Sequence, residues 1–541
     1  MLTITLAKPK LSFIRITLRA LFNSLKSLCK CWLIICVMVV TKTEVGLHSS
    51  RNSCWVVVHG QVYDLTNFLD QHPGGASSIL RYAGKDATKE YEPLHPPGTI
   101  DTLPKEAFMG SLEMTVQDDR ETETVALPPP EKKDSELPPL STLQNLDDFK
   151  LTAQRVLSEK AWVYYSSAAD SLHSDTNNRA DWARIHFRPR VLRRVDKVCT
   201  ATKIMGHNSA LPIFIAPAAL ARLGHEDGEL CLGRGASKWN IPYCCSTYSS
   251  VSHADIAECM EAGTLERRAL CFQLYVPIDK IEAKKLIHKA RRLNCKALVL
   301  TVDSAVIGKR EEDERYKARL DHEAGVQQST TASSSASHSG LVPRGVHSST
   351  LDWRDLTWIR EAWGNAGPVV LKGIQSAEDT LLACRAGIDA VYLSNHGGRQ
   401  LDFAPSSIKT LLEIRKFCPD IMRTIDIYLD GGVSRGSDVV KAICLGAKAV
   451  GLGRPFMYSL SGYGTDGVNR AIESEFLPRS DIQCLLISTL AVLDDEIQTT
   501  MRLLGVTDLS ELSPSYVNAK VLINELSDDV HLPESMLSSK L

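Results

Sequence analysis

From Asn145 onward the chain repeats one pattern: a short, near-continuous apolar run that ends on a small or polar residue, followed by a helix-like stretch. The runs are LPIFIAP (211–217), IPYCCST (241–247), LCFQLY (270–275), ALVLTVD (297–303), PVVLKG (368–373), AVYLSN (390–395), DIYLDGG (426–432) and AVGLGR (449–454). A strand buried on both faces needs a run of this kind rather than strict alternation. Eight of them alternating with helices predict a parallel (β/α)8 (TIM) barrel over 143–511. An open doubly wound sheet would need a Gly-x-Gly-x-x-Gly turn after an early strand, and none is present.

The patterning ahead of the barrel is different. Residues 43–117 hold two short β-like runs, CWVVV and QVYDL, among aromatic and turn residues, which predicts a small α+β unit. Between the two lies DDRETETVALPPPEKKDSELPPL, within a segment 118–142 that has few large apolar groups to bury and reads as an extended linker. Residues 318–350, rich in Ser, Thr, His and Gly, predict a mobile loop between the fourth and fifth strands, and LVPRG inside it resembles a protease-site tag. Residues 512–541 read as a tail.

Composition adds limits. Charged residues make up 23% and hydrophobics 44%, the balance of a globular protein. A formal net charge of −2 gives no electrostatic reason to expect nucleic acid. The 15 cysteines are scattered, without zinc-site spacing, and read as buried thiols. The ends suggest different addresses. A basic, acid-free leader (1–42, with Lys8, Lys10, Arg15, Arg19, Lys26 and Lys30) runs into Trp32–Val40, too short for a span, and points to the mitochondrial intermembrane space. The terminal Ser539-Lys540-Leu541 is the peroxisomal tripeptide, and the peroxisome is the favoured expectation.

In such a barrel chemistry sits at the carboxyl ends of the strands. Those ends here carry Pro217, Ala218 and Ala219, then Ser246, Gln273 with Tyr275, Thr301 with Asp303, and Lys372. Ser394, His396 and Arg399 follow, then Asp430, Gly431 and Gly432, and Gly453 with Arg454. Gly453-Arg454 and Asp430–Gly432 stand where barrels commonly bind a phosphate, through backbone N–H groups and a cation. Lys372 suits negative charge developing on a reduced isoalloxazine. Arg399 suits a carboxylate, His396 the proton of the adjacent hydroxyl carbon or oxygen, and Asp303 the imidazolium so formed.

In the small unit, His72-Pro73-Gly74-Gly75 holds one imidazole at a tight turn, and His95 follows from another loop. Two imidazoles on one iron leave no open position and favour electron transfer. DLTNFLDQHPGG and EPLH closely resemble the cytochrome b5 family, which implies that His72 and His95 are the axial ligands of haem b. AWVYYSSAAD, FQLYV, TVDSAVIGKRE, LKGI, SNHGGRQLDF, DGGVSRG and AVGLGRPF resemble the FMN-dependent L-2-hydroxy acid dehydrogenase/oxidase family, and the two modules in this order resemble the flavocytochrome b2 family.

That resemblance implies oxidation of an L-2-hydroxy acid, L-lactate first among them, through FMN, with electrons passed to haem b and then to cytochrome c. With a peroxisomal address O2 becomes the alternative acceptor. It implies His396 as base and Asp303 as its partner, Arg399 and Arg310 at the substrate carboxylate, and Tyr164 and Tyr275 hydrogen-bonding the substrate. Ser246, Gln273, Thr301 and Lys372 hold the flavin ring, Pro217–Ala219 lie at its edge, Asp430–Gly432, Gly453 and Arg454 take the ribityl chain and phosphate, and Ser394 is a further cofactor contact. A homo-oligomer, a tetramer, is implied as well. Ala219 leaves room by the flavin, while the bulky Tyr248 stands at a position lining the pocket in relatives. Three departures stand out. Ser434-Arg435 replaces the family's two arginines after DGGV, Ala168 replaces a glycine, and 474–494 interrupts what is one helix in the family. They motivate the rival reading, a haem-binding electron carrier whose barrel is inactive.

Overall fold

The computed structural model describes residues 39–72, 74–113, 137–261, 269–324, 347–472 and 492–528. Residues 1–38, most of the linker, the LVPRG segment, residues 474–491 of the inserted stretch and the terminal tripeptide lie outside the described residues. Among the described residues no helix is long and apolar enough to cross a membrane.

The first unit is a five-stranded sheet in the order Val39–Val40, Phe108–Leu112, Gln61–Asp64, Ser53–Val58, Ser49–Ser50. Side chains alternate along Ser53–Val58, so Cys54, Val56 and Val58 enter one core while Trp55 and Val57 enter another on the opposite face. Both faces are covered, which is why the run is apolar throughout. Residues 39–42, assigned above to the leader, belong to this unit. Val39 and Val40 pair in parallel with Ser111 and Leu112, and Thr41 caps the helix Lys42–Leu47 by accepting from the Glu44 N–H at 3.1 Å.

The second unit is a closed barrel of eight parallel strands, and every predicted apolar run supplies one: Ile213–Ile215, Tyr243–Cys245, Leu270–Leu274, Leu298–Thr301, Val369–Ile374, Ala390–Leu393, Asp426–Leu429 and Ala449–Leu452. Inward side chains, among them Phe214, Cys244, Val299, Val370, Tyr392 and Tyr428, fill the lumen, so the barrel is a packed core. Gly451 in the eighth strand is set by this packing: a Cβ there would lie 2.3 Å from the Tyr392 hydroxyl and 2.9 Å from the Phe214 ring.

Two sequence expectations need correction. Of the loop placed at 318–350, residues 318–323 instead belong to the helix Glu311–Glu323, with Glu311, Glu312, Asp313 and Glu314 in its first turn where acids favour a helix N-terminus. The tail placed after 511 is partly built into the barrel unit: Val517–Asn518 pairs with His186–Phe187, and Leu522 is fully buried. The units touch through an ion pair between Arg81 Nε and Asp321 Oδ1 at 2.5 Å, both side chains largely buried.

Candidate functional site

The carboxyl ends of the strands carry a connected polar layer. Gln273, Thr301, Lys372 and Ser394 are all buried. Gln273 Nε2 donates to Thr301 Oγ1 at 3.0 Å and Lys372 Nζ to Ser394 Oγ at 3.2 Å. The backbone N–H of Tyr248 donates to Ser246 Oγ at 3.1 Å, and that of Thr247 to Gln273 Oε1 at 3.1 Å. Asp430 accepts from the Tyr392 hydroxyl at 2.8 Å through one oxygen, while its other oxygen is buried without a partner. An unpaired buried carboxylate oxygen costs roughly 1–3 kcal/mol or more, so a donor such as a ribityl hydroxyl suits it. Pro217, Ala218 and Ala219 are half-buried after the first strand.

His396 sits above this layer in a backbone that stores strain. It has φ 60°, followed by Gly397 at 64° and Gly398 at 73°, a left-handed run that only glycine adopts freely. Nδ1 of His396 donates to Asp303 Oδ1 at 2.9 Å, which fixes Nε2 as the basic nitrogen, and the Tyr275 hydroxyl lies 3.1 Å from it. Burial pulls the His396 pKa below its ordinary value despite the Asp303 charge, and Lys372 and Arg310 act in the same direction as burial. Asp303 is held ionised, because His396 and Lys372 outweigh the cost of burying it. Gln400, which the sequence reading missed, holds the loop by donating from Nε2 to the Asp303 and Val306 carbonyls at 2.7 and 2.9 Å.

Arg399 is fixed by donating from Nη1 to the Tyr164 and Ser167 carbonyls at 2.9 and 2.7 Å, and its guanidinium lies 5.4 Å from the centre of the Tyr164 ring. Burial, with the charges of Arg310 and Arg454 beside it, brings its pKa down to about 9. Arg310 Nε is buried without a hydrogen-bond partner. Two guanidinium groups converging in a buried place, one with an unused donor, favour an anion between them.

Arg454, after the eighth strand, is also held by its own chain. Its guanidinium donates to the carbonyls of Tyr165, Ser167 and Gly397 and to Asp175 Oδ1, all within 3.0 Å, and so ties these loops together. Arg435 turns to Glu496, and the Ser434 N–H donates to Asp438. Gly431 and Gly432 have φ of 95° and 73°, and a Cβ on Gly432 would lie 1.9 Å from the Asn178 carbonyl oxygen. Gly453 has space around it, with the nearest atom 3.9 Å from a built Cβ.

In the first unit the imidazoles of His72 and His95 face each other with ring centres 6.1 Å apart. Nδ1 of His72 points at the Gly75 carbonyl (3.3 Å) and that of His95 at the Tyr91 carbonyl (3.0 Å), which leaves both Nε2 atoms for a metal. Burial lowers both pKa values, so the neutral, ligating form is favoured. Two facing imidazoles, each with a free Nε2, would suit a haem iron held between them. Another group, His225, Asp227 and Cys231, brings its ligand atoms within 4.8 Å of one another. There Arg234 occupies Asp227, and burial pushes the Cys231 thiol up to about 11, which disfavours the thiolate that binds metal.

The profile of the FMN-dependent dehydrogenase family matches residues 153–475, and that of the cytochrome b5-like haem/steroid binding domain matches 41–113. L-lactate dehydrogenase (cytochrome) of Wickerhamomyces anomalus is 38% identical over 496 residues, 90% of this chain and 81% of that protein. 2-Hydroxyacid oxidase 2 of Mus musculus is 36% identical over 373 residues, 69% of this chain and 97% of that protein. A solved structure of a flavocytochrome b2 double mutant with pyruvate bound aligns with a TM-score of 0.61 at 34% identity, over 72% of this chain and 90% of that one.

Proposed function

The chain belongs to the FMN-dependent dehydrogenase family, with a cytochrome b5-like haem domain ahead of its barrel, and from that premise we propose that it oxidises L-lactate to the 2-oxo acid and delivers the electrons to cytochrome c. When bound, FMN supplies the two-electron acceptor for the substrate, and haem b the one-electron step onward.

The observation that carries this reading is His396, held by Asp303 on one side and by the Tyr275 hydroxyl on the other, beside the converging Arg310 and Arg399. The arginines take the carboxylate. His396 Nε2 takes the proton from the hydroxyl carbon or its oxygen, and ionised Asp303 stabilises the imidazolium that results. Lys372 and the Gln273–Thr301 pair would hold the flavin ring, and the free oxygen of Asp430 would accept a hydrogen bond from the ribityl chain. His72 and His95 would hold the haem iron.

The test is an anaerobic absorbance spectrum of the purified full chain before and after L-lactate. Bleaching of a flavin band together with the rise of reduced b-type haem bands is expected. Haem without any flavin absorbance would overturn the dehydrogenase reading and favour the inactive-barrel carrier.

A further inference from the structure

His347 has no role in the sequence reading, yet it packs directly against the residues around His396. It is only 9% exposed. Its backbone bridges Pro277, and the next residue, Ser348, donates its N–H to the Val276 carbonyl at 2.8 Å, so the segment is pinned beside the strand end that carries Tyr275. Nδ1 of His347 donates to the Ser304 carbonyl at 3.2 Å, which makes Nε2 the acceptor for the Tyr248 hydroxyl at 2.9 Å. The imidazole lies flat on Tyr275, ring centres 4.3 Å apart and planes 6° from parallel. Tyr248 stacks against both, 5.5 Å from Tyr275 and 5.7 Å from His347. Tyr248 is 38% exposed, so its ring is free to swing outward unless its hydroxyl is held.

We infer that His347 is a positioning residue that sets substrate size: it clamps the Tyr275 ring and the Tyr248 hydroxyl into one rigid aromatic wall running on from His396. A methyl-sized C2 substituent fits against a fixed wall, whereas an aryl substituent requires Tyr248 to move. The inference rests on the reading of the barrel as an L-2-hydroxy acid dehydrogenase and deepens it by assigning what excludes bulky acids.

The experiment uses the full chain with both cofactors, as wild type and as His347→Ala, His347→Phe and Tyr248→Phe. Flavin reduction is followed anaerobically with L-lactate and with L-mandelate, and flavin and haem content are read from the absorbance. In His347→Ala the lactate-to-mandelate ratio of kcat/KM falls roughly ten- to hundredfold, the scale on which apolar pockets discriminate, and the L-lactate share of the change appears in KM. His347→Phe keeps a flat ring on Tyr275 but no acceptor, and Tyr248→Phe keeps the ring but no donor, so both give a smaller fall of similar size. A ratio within about twofold of wild type in His347→Ala, far below pocket-scale discrimination, overturns the inference. Should His347→Ala lose flavin, unchanged ratios in both Phe variants overturn it equally. A wild-type flavin that neither acid reduces defeats the underlying dehydrogenase reading instead, which keeps the two failures apart.

Discussion

At the scale of single residues, the proposed reaction requires His396 to be neutral when substrate arrives. Burial favours the neutral imidazole and Asp303 favours the cation, and burial prevails, so the folded pKa lies below 6.5. The rate therefore follows the deprotonated fraction: kcat/KM is level from neutral pH upward and falls about tenfold per pH unit below the folded pKa. Asp303→Asn removes the one charge that raises this pKa, so the acidic limb moves to lower pH while the rate drops, by an expected 10²–10⁴-fold, because the imidazolium loses its partner. A pH profile of flavin reduction measures both effects. A limb that moves to higher pH would show that Asp303 does not stabilise the cation.

At the scale of elements, the loop after the seventh strand has the least support for a phosphate. Ser434 stands where the family places an arginine, Arg435 is tied to Glu496, and Arg454 is tied to three carbonyls and Asp175. Ser434→Arg supplies a charge-assisted hydrogen bond worth about 1.5–3 kcal/mol, so FMN binds roughly ten- to hundredfold more tightly, measured by fluorescence titration of flavin-stripped protein. No gain in affinity would mean that a cation at this position does not reach the phosphate. The same loop shows what was legible in the sequence. The eight strands could be read because burial on both faces leaves an apolar run. His72, His95, His396 and Asp303 could be read because their neighbours in sequence carry the motif. The protein partners of Arg454 could not be read, since a cation after the eighth strand has the same sequence signature whether its guanidinium meets a phosphate, backbone carbonyls or both. His347 gave no signal at all, being one histidine in a Ser- and Thr-rich segment whose partners, Tyr248 and Tyr275, are brought to it only by barrel closure. Val39 and Val40 were hidden because the strand they form is too short to show a period.

At the scale of the whole molecule, the helix Glu159–Ser166 links the two sites. Lys160, one turn before Tyr164, lies near enough to the first unit for its charge to lower the His95 pKa, while the Tyr164 ring and carbonyl hold Arg399 at the barrel mouth. Residues four apart share a helix face, so one face of this helix points toward His95 and toward Arg399 together. The Arg81–Asp321 pair fixes that arrangement from the neighbouring helix Glu311–Glu323, with side chains only 13% and 6% exposed. Removing one partner of such a pair leaves a buried charge uncompensated, at a cost of about 3–5 kcal/mol, and the docked arrangement can shed that cost by opening so that water reaches Asp321. Arg81→Leu therefore leaves the rate of flavin bleaching by L-lactate as in the wild type and slows the following haem reduction at least severalfold, as read by stopped-flow at the two absorbance bands. Because the pair is buried, raising the salt slows wild-type transfer far less than the substitution does, screening being weak away from solvent. Equal haem rates in the variant and the wild type would mean that electrons cross between the units without this contact.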